Sequence, residues 1–429
     1  MLYRKFSLIL IIAICINNRC HAVESPKWWK ENRAIYTSFA LSGAGGPMMK
    51  FRGEDITKKL KSFDDLPILL DDARKLGCNC VYLVDYWQGG YENKGDYVPR
   101  ADLGGPKAFK RGIDGIHAKG GRIILYLEAF IISRGSDIGQ KHDRDWAMMD
   151  ENGSFYTYYG RDRFYLMYPG EGSGWIEYIC SLAEQMIRSY GVDGFHLDSY
   201  GLQWNWKDYN PKHPGATDGS EFNKGAVDLV RTMRERIQKT KPDAVVILEG
   251  CERTELLDVC DGGQLDSAAW QYSPLKVLAE KSWANKPPKY KAFTSHFSLP
   301  EMEQILKLGH NLSMTPWWFQ DLPDENNFKK MREPMEDKDD WYERITTLWY
   351  WDNLLYANGI HRPSGIDLFQ LRRDLEMQKY RKDVGTGTYD TPEYWKAVDA
   401  YEPLVRKLIS GGKPVKTQAE RLRELVVGN

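Results

Sequence analysis

Short apolar runs alternate with longer helical patterns along most of this chain. The runs typical of buried strands lie at residues 35–40, 80–86, 121–130, 193–200, 244–250, 263–268, 291–297 and 311–318. Amphipathic helical patterns lie between them, at residues 66–77, 106–121, 175–191 and 221–240. Strand–helix alternation indicates parallel strands. Eight such strands predict an α/β fold, namely a closed (β/α)8 TIM barrel. A doubly wound open sheet is the alternative, but no glycine-rich phosphate loop follows the first strand.

The pattern becomes wholly helical after the eighth apolar run. Residues 340–359 have the length and periodicity expected of the last barrel helix. Further helical patterns follow at residues 365–385, 392–410 and 416–427. We therefore predict a catalytic barrel over residues 23–359 and a helical C-terminal extension over residues 360–429.

Acidic side chains stand where several predicted strands end. Asp85, Glu128, Asp198 and Glu249 end the second to fifth strands, and His296 lies in the seventh. Each alone is most simply a helix cap or a loop ion pair. In a barrel, however, the carboxyl ends of the strands carry the active site, and unrelated structural carboxylates would scatter between the two rims.

The fourth strand, GVDGFHLDSYG at residues 191–201, refines this prediction. Side chains two residues apart share one face of a strand, so His196 lies one layer below Asp198. It is placed either to hold Asp198 by a hydrogen bond or to serve as an ordinary core histidine. Asp193 falls at the opposite end of the strand, where we expect a structural turn.

Two carboxyl groups that face each other in a cleft are suited to glycoside hydrolysis. One attacks the anomeric carbon, and the other, kept protonated, donates to the leaving oxygen. A pair about 5 Å apart retains the anomeric configuration, whereas a wider pair admits water and inverts it. The sequence alone does not fix that separation.

Three motifs resemble those of α-amylase-like and dextranase-like (β/α)8-barrel glycoside hydrolases. They are DYVPRADLGG at residues 96–105 with the helix that ends in His117-x-x-Gly120, GVDGFHLDSYG, and VVILEG at residues 245–250. The likeness covers most of residues 35–320. It implies that Asp198 is the nucleophile and Glu249 the general acid/base of a glycosidase that cleaves α-linkages with retention.

The chain departs from the α-amylase pattern at three positions. His196 replaces the arginine two residues before the nucleophile, Glu128 replaces an aspartate, and Phe297 follows His296 where the pattern has an aspartate. A helical tail also replaces the usual β-sandwich. We therefore expect a divergent member that acts on an oligo- or polysaccharide other than the α-amylase substrate.

Aromatic residues are numerous, with 15 Trp and 25 Tyr. Rings in loops can stack on sugars, although packing against the barrel rim is the plainer interpretation. The candidates for substrate binding lie after strands two, four and eight: Trp87, Tyr200, Trp204, Trp206, Tyr209, Trp317 and Trp318. With Asp85, Glu128, His196 and His296 they complete the predicted substrate-binding set.

The first residues have the layout of a secretory signal peptide. MLYRK supplies basic residues, FSLILIIAICI is an apolar run too short to span a membrane, and Ala22 precedes a plausible cleavage site. A membrane anchor is the alternative. We expect residues 1–22 to be removed and the mature chain to be secreted or periplasmic, without a membrane span.

Charge and cysteine content restrict the partners. The formal net charge is −1 and no basic stripe stands out, which argues against nucleic acid. The five cysteines outside the predicted signal do not form a dense disulfide framework, and no H-x-H or H-E-x-x-H spacing suggests zinc. We predict no cofactor and no metal.

Two alternatives to a glycosidase remain. The strand-end carboxylates and His296 could hold Mg²⁺ or Mn²⁺, as in a metal-dependent barrel hydrolase or aldolase. A carbohydrate-binding barrel without catalysis would account for the missing strand-seven aspartate.

Overall fold

A curled sheet of parallel strands forms the centre of the protein. The computed structural model describes residues 24–38, 50–51, 54–55, 60–157, 163–250, 253–264, 291–293, 298–335, 338–373 and 391–428. Within these residues eight strands form one sheet: β1 (Ala34–Ser38), β2 (Cys80–Leu83), β3 (Arg122–Glu128), β4 (Gly194–Asp198), β5 (Val245–Glu249), β6 (Gly262–Gln264), β7 (Lys291–Phe293) and β8 (Leu312–Met314). Their order is β7-β6-β5-β4-β3-β2-β1-β8, and β7 and β8 approach each other with Cα atoms within 8 Å. The predicted (β/α)8 barrel is confirmed.

Helices connect the strands and surround them. The long ones are α1 (Leu66–Lys75), α2 (Gly105–Ala118), α3 (Trp175–Tyr190), α4 (Gly219–Thr240), α5 (Leu299–Lys307), α6 (Lys338–Ala357), α7 (Pro392–Ser410) and α8 (Gln418–Val427). Shorter helices span Lys27–Glu31, Asp137–Trp146, Thr254–Leu257 and Glu325–Met331, and two antiparallel ribbons pair Lys50–Phe51 with Glu54–Asp55 and Ile131–Ser133 with Phe164–Leu166. No helix of the described residues is long and apolar enough to cross a membrane.

The local sequence explains these elements. In α3 the buried residues Trp175, Ile179, Ala183 and Ile187 recur every four positions, which gives one apolar stripe against the sheet. The helix ends at Gly191, whose φ of 76° suits the left-handed position that glycine adopts freely. The apolar side chains of β5 are all buried, as expected for a parallel strand covered on both faces.

The C-terminal helices pack against the barrel. α7 contacts α6, and α8 contacts α1, α5 and α6. The Tyr401 hydroxyl of α7 donates to buried Asp352 of α6 at 2.8 Å, and Gln418 of α8 donates to the Trp317 and Trp318 carbonyls after β8. The predicted helical C-terminal region is therefore present.

Some predicted boundaries need correction. The run at 311–318 yields a strand only over Leu312–Met314, because Pro316 has no N–H for the ladder and begins a 3₁₀ turn, Pro316–Trp318. The helix predicted at 365–385 is described only up to residue 373, where residues 368–373 are helical. The predicted signal peptide and residues 294–297, including His296, lie outside the described residues.

The cysteines fit a structural role. Cys78, Cys80, Cys180 and Cys260 lie within the described residues, and Cys251 lies outside them. All four described cysteines are buried free thiols, and burial raises the pKa of each. A thiol that stays protonated in an apolar setting is unreactive.

Asp193 anchors the rim at the amino-terminal ends of the strands. Its fully buried carboxylate accepts hydrogen bonds from His117, Arg122, Lys241 and the Ile123 N–H, each at 2.8 Å. Burial raises its pKa, but the His117 hydrogen bond and the Lys241 and Arg122 contacts outweigh burial and lower it to about 2. The group ties β3, β4, α2 and α4 together.

We expect Asp193→Asn to destabilise the protein by about 2–3 kcal/mol at neutral pH, because it removes the charge that pairs with Arg122 and Lys241. A carboxylate with a lowered pKa contributes stability above its unfolded pKa and loses it as the pH falls through its folded pKa. The deficit of the variant should therefore shrink between about pH 4 and pH 2. Denaturant unfolding across this range measures it.

Asp243→Asn is the matched control, since Asp243 also pairs with Arg122 but its side chain is 40% exposed. We expect a loss below about 1 kcal/mol. Equal losses in the two variants, or a deficit of Asp193→Asn that does not depend on pH, would contradict the assigned anchor role.

Candidate active site

Three carboxyl groups meet at the rim formed by the carboxyl ends of the strands. Glu128, Asp198 and Glu249 are the last residues of β3, β4 and β5. Glu128 is the register partner of Asp198, and the Leu197–Leu248 pairing puts Glu249 at the same level on the next strand. Because all three strands are parallel, their side chains share one layer at this rim. The structure thus brings together three of the side chains that the sequence singled out.

Asp198 and Glu249 are register neighbours on adjacent strands, so each carboxyl group acts on the ionisation of the other. Two carboxyl groups this close do not both ionise freely, because like charges repel. Burial raises the pKa of Asp198, but the Lys94 charge, the interaction with Glu249 and the Tyr126 hydrogen bond outweigh burial and lower it. Asp198 is therefore favoured as an ionised carboxyl group of the site.

The turn after Asp198 orients Glu249. The Ser199 N–H donates to Glu249 Oε2 at 2.7 Å, and its hydroxyl lies 3.3 Å from the same oxygen. Ser199 adopts φ 54°, an uncommon conformation for a residue with a side chain. Gly201 then passes so close to β5 that a Cβ atom there would lie 2.2 Å from the Gly250 carbonyl oxygen. This close approach explains the glycine of the SYG motif.

Lys94, which the sequence analysis missed, reaches the cluster from the loop after β2. Its Nζ lies 2.7 Å from the Tyr126 hydroxyl, 3.0 Å from Glu128 Oε2 and 3.7 Å from Asp198 Oδ2. The side chain is only 4% exposed. Burial lowers its pKa, but the charges of Glu128 and Asp198 outweigh burial and raise it, so the ammonium stays charged. Its main chain is held by two hydrogen bonds with Ser133.

Tyr126, also missed, connects Lys94 to Asp198 from the layer below. Lys94 donates to the Tyr126 hydroxyl, which donates to Asp198 Oδ2 at 2.6 Å. The Tyr126 ring stacks on Trp87, with centroids 5.1 Å apart and planes within 15°. The only sequence signal for this role was its position two residues before Glu128, on the same face of β3.

Glu128 is fully buried beside this pair. Its Oε1 accepts from the Phe130 N–H at 3.0 Å, and its own N–H donates to the Tyr97 hydroxyl at 2.8 Å. Burial raises its pKa, the Lys94 ammonium opposes this, and the Asp198 charge adds to it, which leaves the pKa at about 7.

His196 lies one layer below Asp198, as its spacing predicted. Its Nδ1 is 2.8 Å from the hydroxyl of Tyr82 on β2, and the two rings pack at 4.7 Å. The charge of His196 also contributes to the lowered pKa of Asp198. His196 thus stabilises the ionised form of Asp198 electrostatically from the layer below.

The predicted aromatic wall is mostly packed inside the protein. Trp87 and Trp317 are fully buried, Trp318 is 1% exposed, and none offers an open ring face to a sugar. Trp87 instead supports Tyr126, and Trp317 packs edge-to-face on Trp318. The prediction that Trp87 and Trp317 contact substrate therefore does not fit their burial, since the loops fold back on the rim.

The loop after β4 keeps half-buried aromatic side chains. Trp204 lies under the Arg253 guanidinium, and Trp206 packs against Phe130 and Tyr156. Tyr209 is 37% exposed. Trp204, Trp206 and Tyr209 are the rings of the predicted wall that retain accessible surface.

Tyr200 and Asp85 are buried away from solvent. The Tyr200 hydroxyl lies beside Cys180 of α3, and burial raises its pKa. Asp85 sits under Gly90, where a Cβ atom would meet its Oδ1 at 2.2 Å, and its charge acts on Arg100. These positions suit residues that shape the loops around the site.

Lys94 occupies the space that a cation would need within the carboxylate cluster. Among the described residues, no group of three or more His, Cys, Asp or Glu side chains has the arrangement of a metal site. An ammonium at 3.0 Å from Glu128 already neutralises charge there.

A family model described as "Domain of unknown function (DUF6259)" matches residues 3–261, and the chain belongs to this family.

Two curated relatives are 1,4-alpha-glucan branching enzymes. That of Corynebacterium efficiens is 26% identical over 227 residues, which cover 48% of this chain and 28% of the relative. That of Albidiferax ferrireducens is 22% identical over 247 residues, 50% of this chain and 36% of the relative. The chain thus spans about a third of the length of these relatives.

Solved structures share the barrel. An alpha-glucosyl transfer enzyme superposes with a TM-score of 0.51 at 12% identity, covering 70% of each chain. An alpha-amylase from Lactobacillus plantarum gives 0.47 at 15% identity, covering 67% of this chain and 71% of that one. The superposition on the alpha-glucosyl transfer enzyme shows the shared barrel fold.

We expect Tyr126→Phe to destabilise the protein by about 1.5–3 kcal/mol, because its hydroxyl bonds to two charged groups that would each lose a partner. Tyr86→Phe is the control: its buried hydroxyl donates to a neutral carbonyl, that of Tyr126, and should cost about 0.5–1.5 kcal/mol. Denaturant unfolding at neutral pH compares them. If Tyr126→Phe loses no more unfolding free energy than Tyr86→Phe, the Tyr126 hydroxyl does not bridge Lys94 and Asp198.

Proposed function

We propose that this protein is a glycosidase-like enzyme that acts on an α-linked oligo- or polysaccharide with retention of configuration. The observation that carries the proposal is the register of Asp198 and Glu249, which end adjacent parallel strands at the same level of the carboxyl-end rim. Neighbouring strands lie about 4.8 Å apart, a spacing that suits the roughly 5 Å separation of a retaining pair and not the wider gap of an inverting pair. The names of the relatives, which act on alpha-glucan, support the substrate class.

The geometry supports a two-step mechanism. Asp198, ionised next to Lys94 and Tyr126, attacks the anomeric carbon while protonated Glu249 gives its proton to the leaving oxygen. A glycosyl ester on Asp198 results. Glu249, now a carboxylate held by the Ser199 N–H, then removes a proton from water or from a sugar hydroxyl, and the incoming oxygen displaces Asp198. Water gives hydrolysis, and a sugar hydroxyl gives transfer.

The Asp198 and Glu249 roles predict different kinetic defects. Asp198→Asn should lower turnover of any substrate by at least about a thousandfold, since no covalent intermediate forms. Glu249→Gln should lose as much on natural glycans but keep far more activity on an aryl glycoside whose phenolate leaves without a proton. Product release from a panel of α- and β-linked glycans, with the anomeric form of the product read by NMR, measures both.

Asp243→Asn is the control for the panel, because it removes a carboxylate at the opposite rim. Wild-type turnover in Asp198→Asn would refute the nucleophile. Cleavage of β-glycans alone would be compatible with the two-carboxylate mechanism but would refute the preference for α-linkages. A product of inverted configuration would refute the retaining mechanism. Glycan binding without turnover in the wild type would favour a non-catalytic binding barrel.

We also propose that residues 1–22 direct export, on the strength of the basic, apolar and small-residue order of that segment. Expression in a bacterial host should give a periplasmic or secreted protein whose amino terminus, read by mass spectrometry, is Val23. Replacing Ile11 and Ile12 by Asp should retain the full-length chain in the cytoplasm. A full-length protein in the membrane fraction would favour the anchor interpretation.

A further inference from the structure

A buried ammonium, that of Lys94, faces the carboxyl cluster from outside the three strands. Lys94 comes from the loop after β2 and ends 3.0 Å from Glu128 and 3.7 Å from Asp198. We propose that Lys94 is a positioning residue of the proposed active site: it holds Asp198 as the carboxylate and leaves the proton of the Asp198–Glu249 pair on Glu249. The inference rests on the proposed function and specifies how the two carboxyl groups divide their tasks.

The charges of the cluster support this assignment. In the proposed mechanism Asp198 is ionised and Glu249 carries a proton, so the two residues bear a single negative charge. Glu128 adds a second charge when ionised, and Lys94 supplies one positive charge. Without the ammonium, Asp198 and Glu128, which are register partners, would lose the cation that lies against both of them. Asp198 would then take up a proton more readily, beside Glu128, whose pKa is already about 7 with Lys94 present.

The contacts of Lys94 are directed unequally toward the two members of the pair. Its Nζ lies 3.7 Å from Asp198 and also acts on Asp198 through the Tyr126 hydroxyl, which donates to Oδ2. The Ser199 N–H and hydroxyl contact Glu249, and the Lys94 charge interacts with Glu249 less strongly than with Asp198. A positive charge nearer Asp198 favours ionisation there and leaves the proton on its neighbour.

The burial of Lys94 implies a function beyond a surface ion pair. Its side chain is 4% exposed, and removing an ammonium from water is expensive unless its donors are satisfied. Here Glu128 and Tyr126 accept hydrogen bonds from it, and the rings of Tyr126 and Phe164 lie within 6 Å of Nζ. The loop that carries it is fixed by Ser133 of the strand after β3.

Within the part of the chain that the structure describes, the titratable groups around Asp198 lie on the rim or in the layer below it. They are Lys94 and Tyr97 on the loop after β2, Tyr126 and Glu128 on β3, His196 on β4 and Glu249 on β5. Only Lys94 and His196 among them can be cationic, and His196 lies beneath, paired with Tyr82. The pH dependence of Asp198 should therefore respond first to Lys94.

The test is the pH profile of kcat/KM. Removal of a cation within about 4–6 Å of a carboxylate typically raises its pKa by about 1–3 units. Lys94→Met should shift the acidic limb upward by at least one unit, whereas Lys94→Arg, which keeps the charge, should leave it nearly in place. Lys110→Met removes an exposed lysine paired with Asp114 and should leave both limbs and the rate unchanged. A uniform loss of rate in Lys94→Met, with an unshifted limb, would overturn the proposal.

A second variant covers the case in which Lys94→Met does not fold. Lys94→Met with Glu128→Gln removes both members of the buried ion pair and leaves neutral side chains of similar size. Its acidic limb should lie close to that of Lys94→Met and above that of the wild type, because Glu128, with a pKa of about 7, is mostly neutral over that limb. A limb identical to that of the wild type would refute the control of Asp198 by Lys94.

A measurement without turnover separates this inference from the proposed function. Glu128 has a raised pKa of about 7 with Lys94 present, so its ionisation already costs stability as the pH rises above its unfolded value. Without Lys94 that cost must grow. The difference in Tm between the wild type and Lys94→Met should widen from about pH 6 to pH 9, and it should not widen in a Glu128→Gln background.

The two readouts give distinct outcomes. If the wild type cleaves no glycan but the Tm difference widens as expected, the electrostatic role stands and the glycosidase proposal fails. If the wild type is active and neither the acidic limb nor the Tm difference responds to Lys94→Met, the glycosidase proposal stands and the role of Lys94 is refuted.

Discussion

The parallel register of β3, β4 and β5 places three carboxyl groups in one layer, and much of the site follows from the need to accommodate their charge. Glu128 and Asp198 are register partners, and Glu249 follows on the next strand. Adjacent carboxylates in a mostly buried layer repel each other unless they share protons or meet a cation. Here Lys94 supplies the cation, at 3.0 Å from Glu128 and 3.7 Å from Asp198.

The two ends of β4 show how the same residue type acquires different properties. Asp193 is fully buried and accepts hydrogen bonds from the Arg122 and Lys241 cations and from the His117 ring. Asp198 retains 19% side-chain exposure, lies 3.7 Å from the Lys94 ammonium and ends the strand next to that of Glu249. A carboxylate enclosed by cations stabilises the fold, whereas a partly exposed one beside a second carboxyl group is suited to chemistry. The chain thus separates the structural rim from the chemical one.

The sequence predicted the elements whose signal is local. The hydrophobic centres of β1 to β5 and the periodic helices are read from spacing alone, and the strand ends give Glu128, Asp198 and Glu249 directly. Lys94 and Tyr126 could not be found this way. Lys94 lies in a polar loop where charged residues are ordinary, and its burial depends on how that loop docks on Ser133. Tyr126 is an unremarkable aromatic residue within an apolar strand until Trp87 and Asp198 are placed around it.

The aromatic residues illustrate the opposite error. Exposed rings after the strands were a reasonable prediction for a sugar-binding protein, but Trp87 and Trp317 are fully buried. Whether a loop tryptophan faces solvent depends on long-range docking, here of the β2 loop on β3 and of α8 on the β8 turn, and this is not encoded in spacing. The loop after β4, with Trp204 and Trp206, is the part of that prediction that keeps accessible rings.

The most direct test of the account is to trap the covalent intermediate. A fluorinated α-glycosyl fluoride, which forms the glycosyl ester faster than water can hydrolyse it, should label the wild type with one sugar. Peptide mapping by mass spectrometry should place that sugar on Asp198, and Asp198→Asn should remain unlabelled. A label on Glu249 or Glu128, or turnover of the reagent by a wild type that never carries a label, would contradict the assignment of Asp198 as the nucleophile.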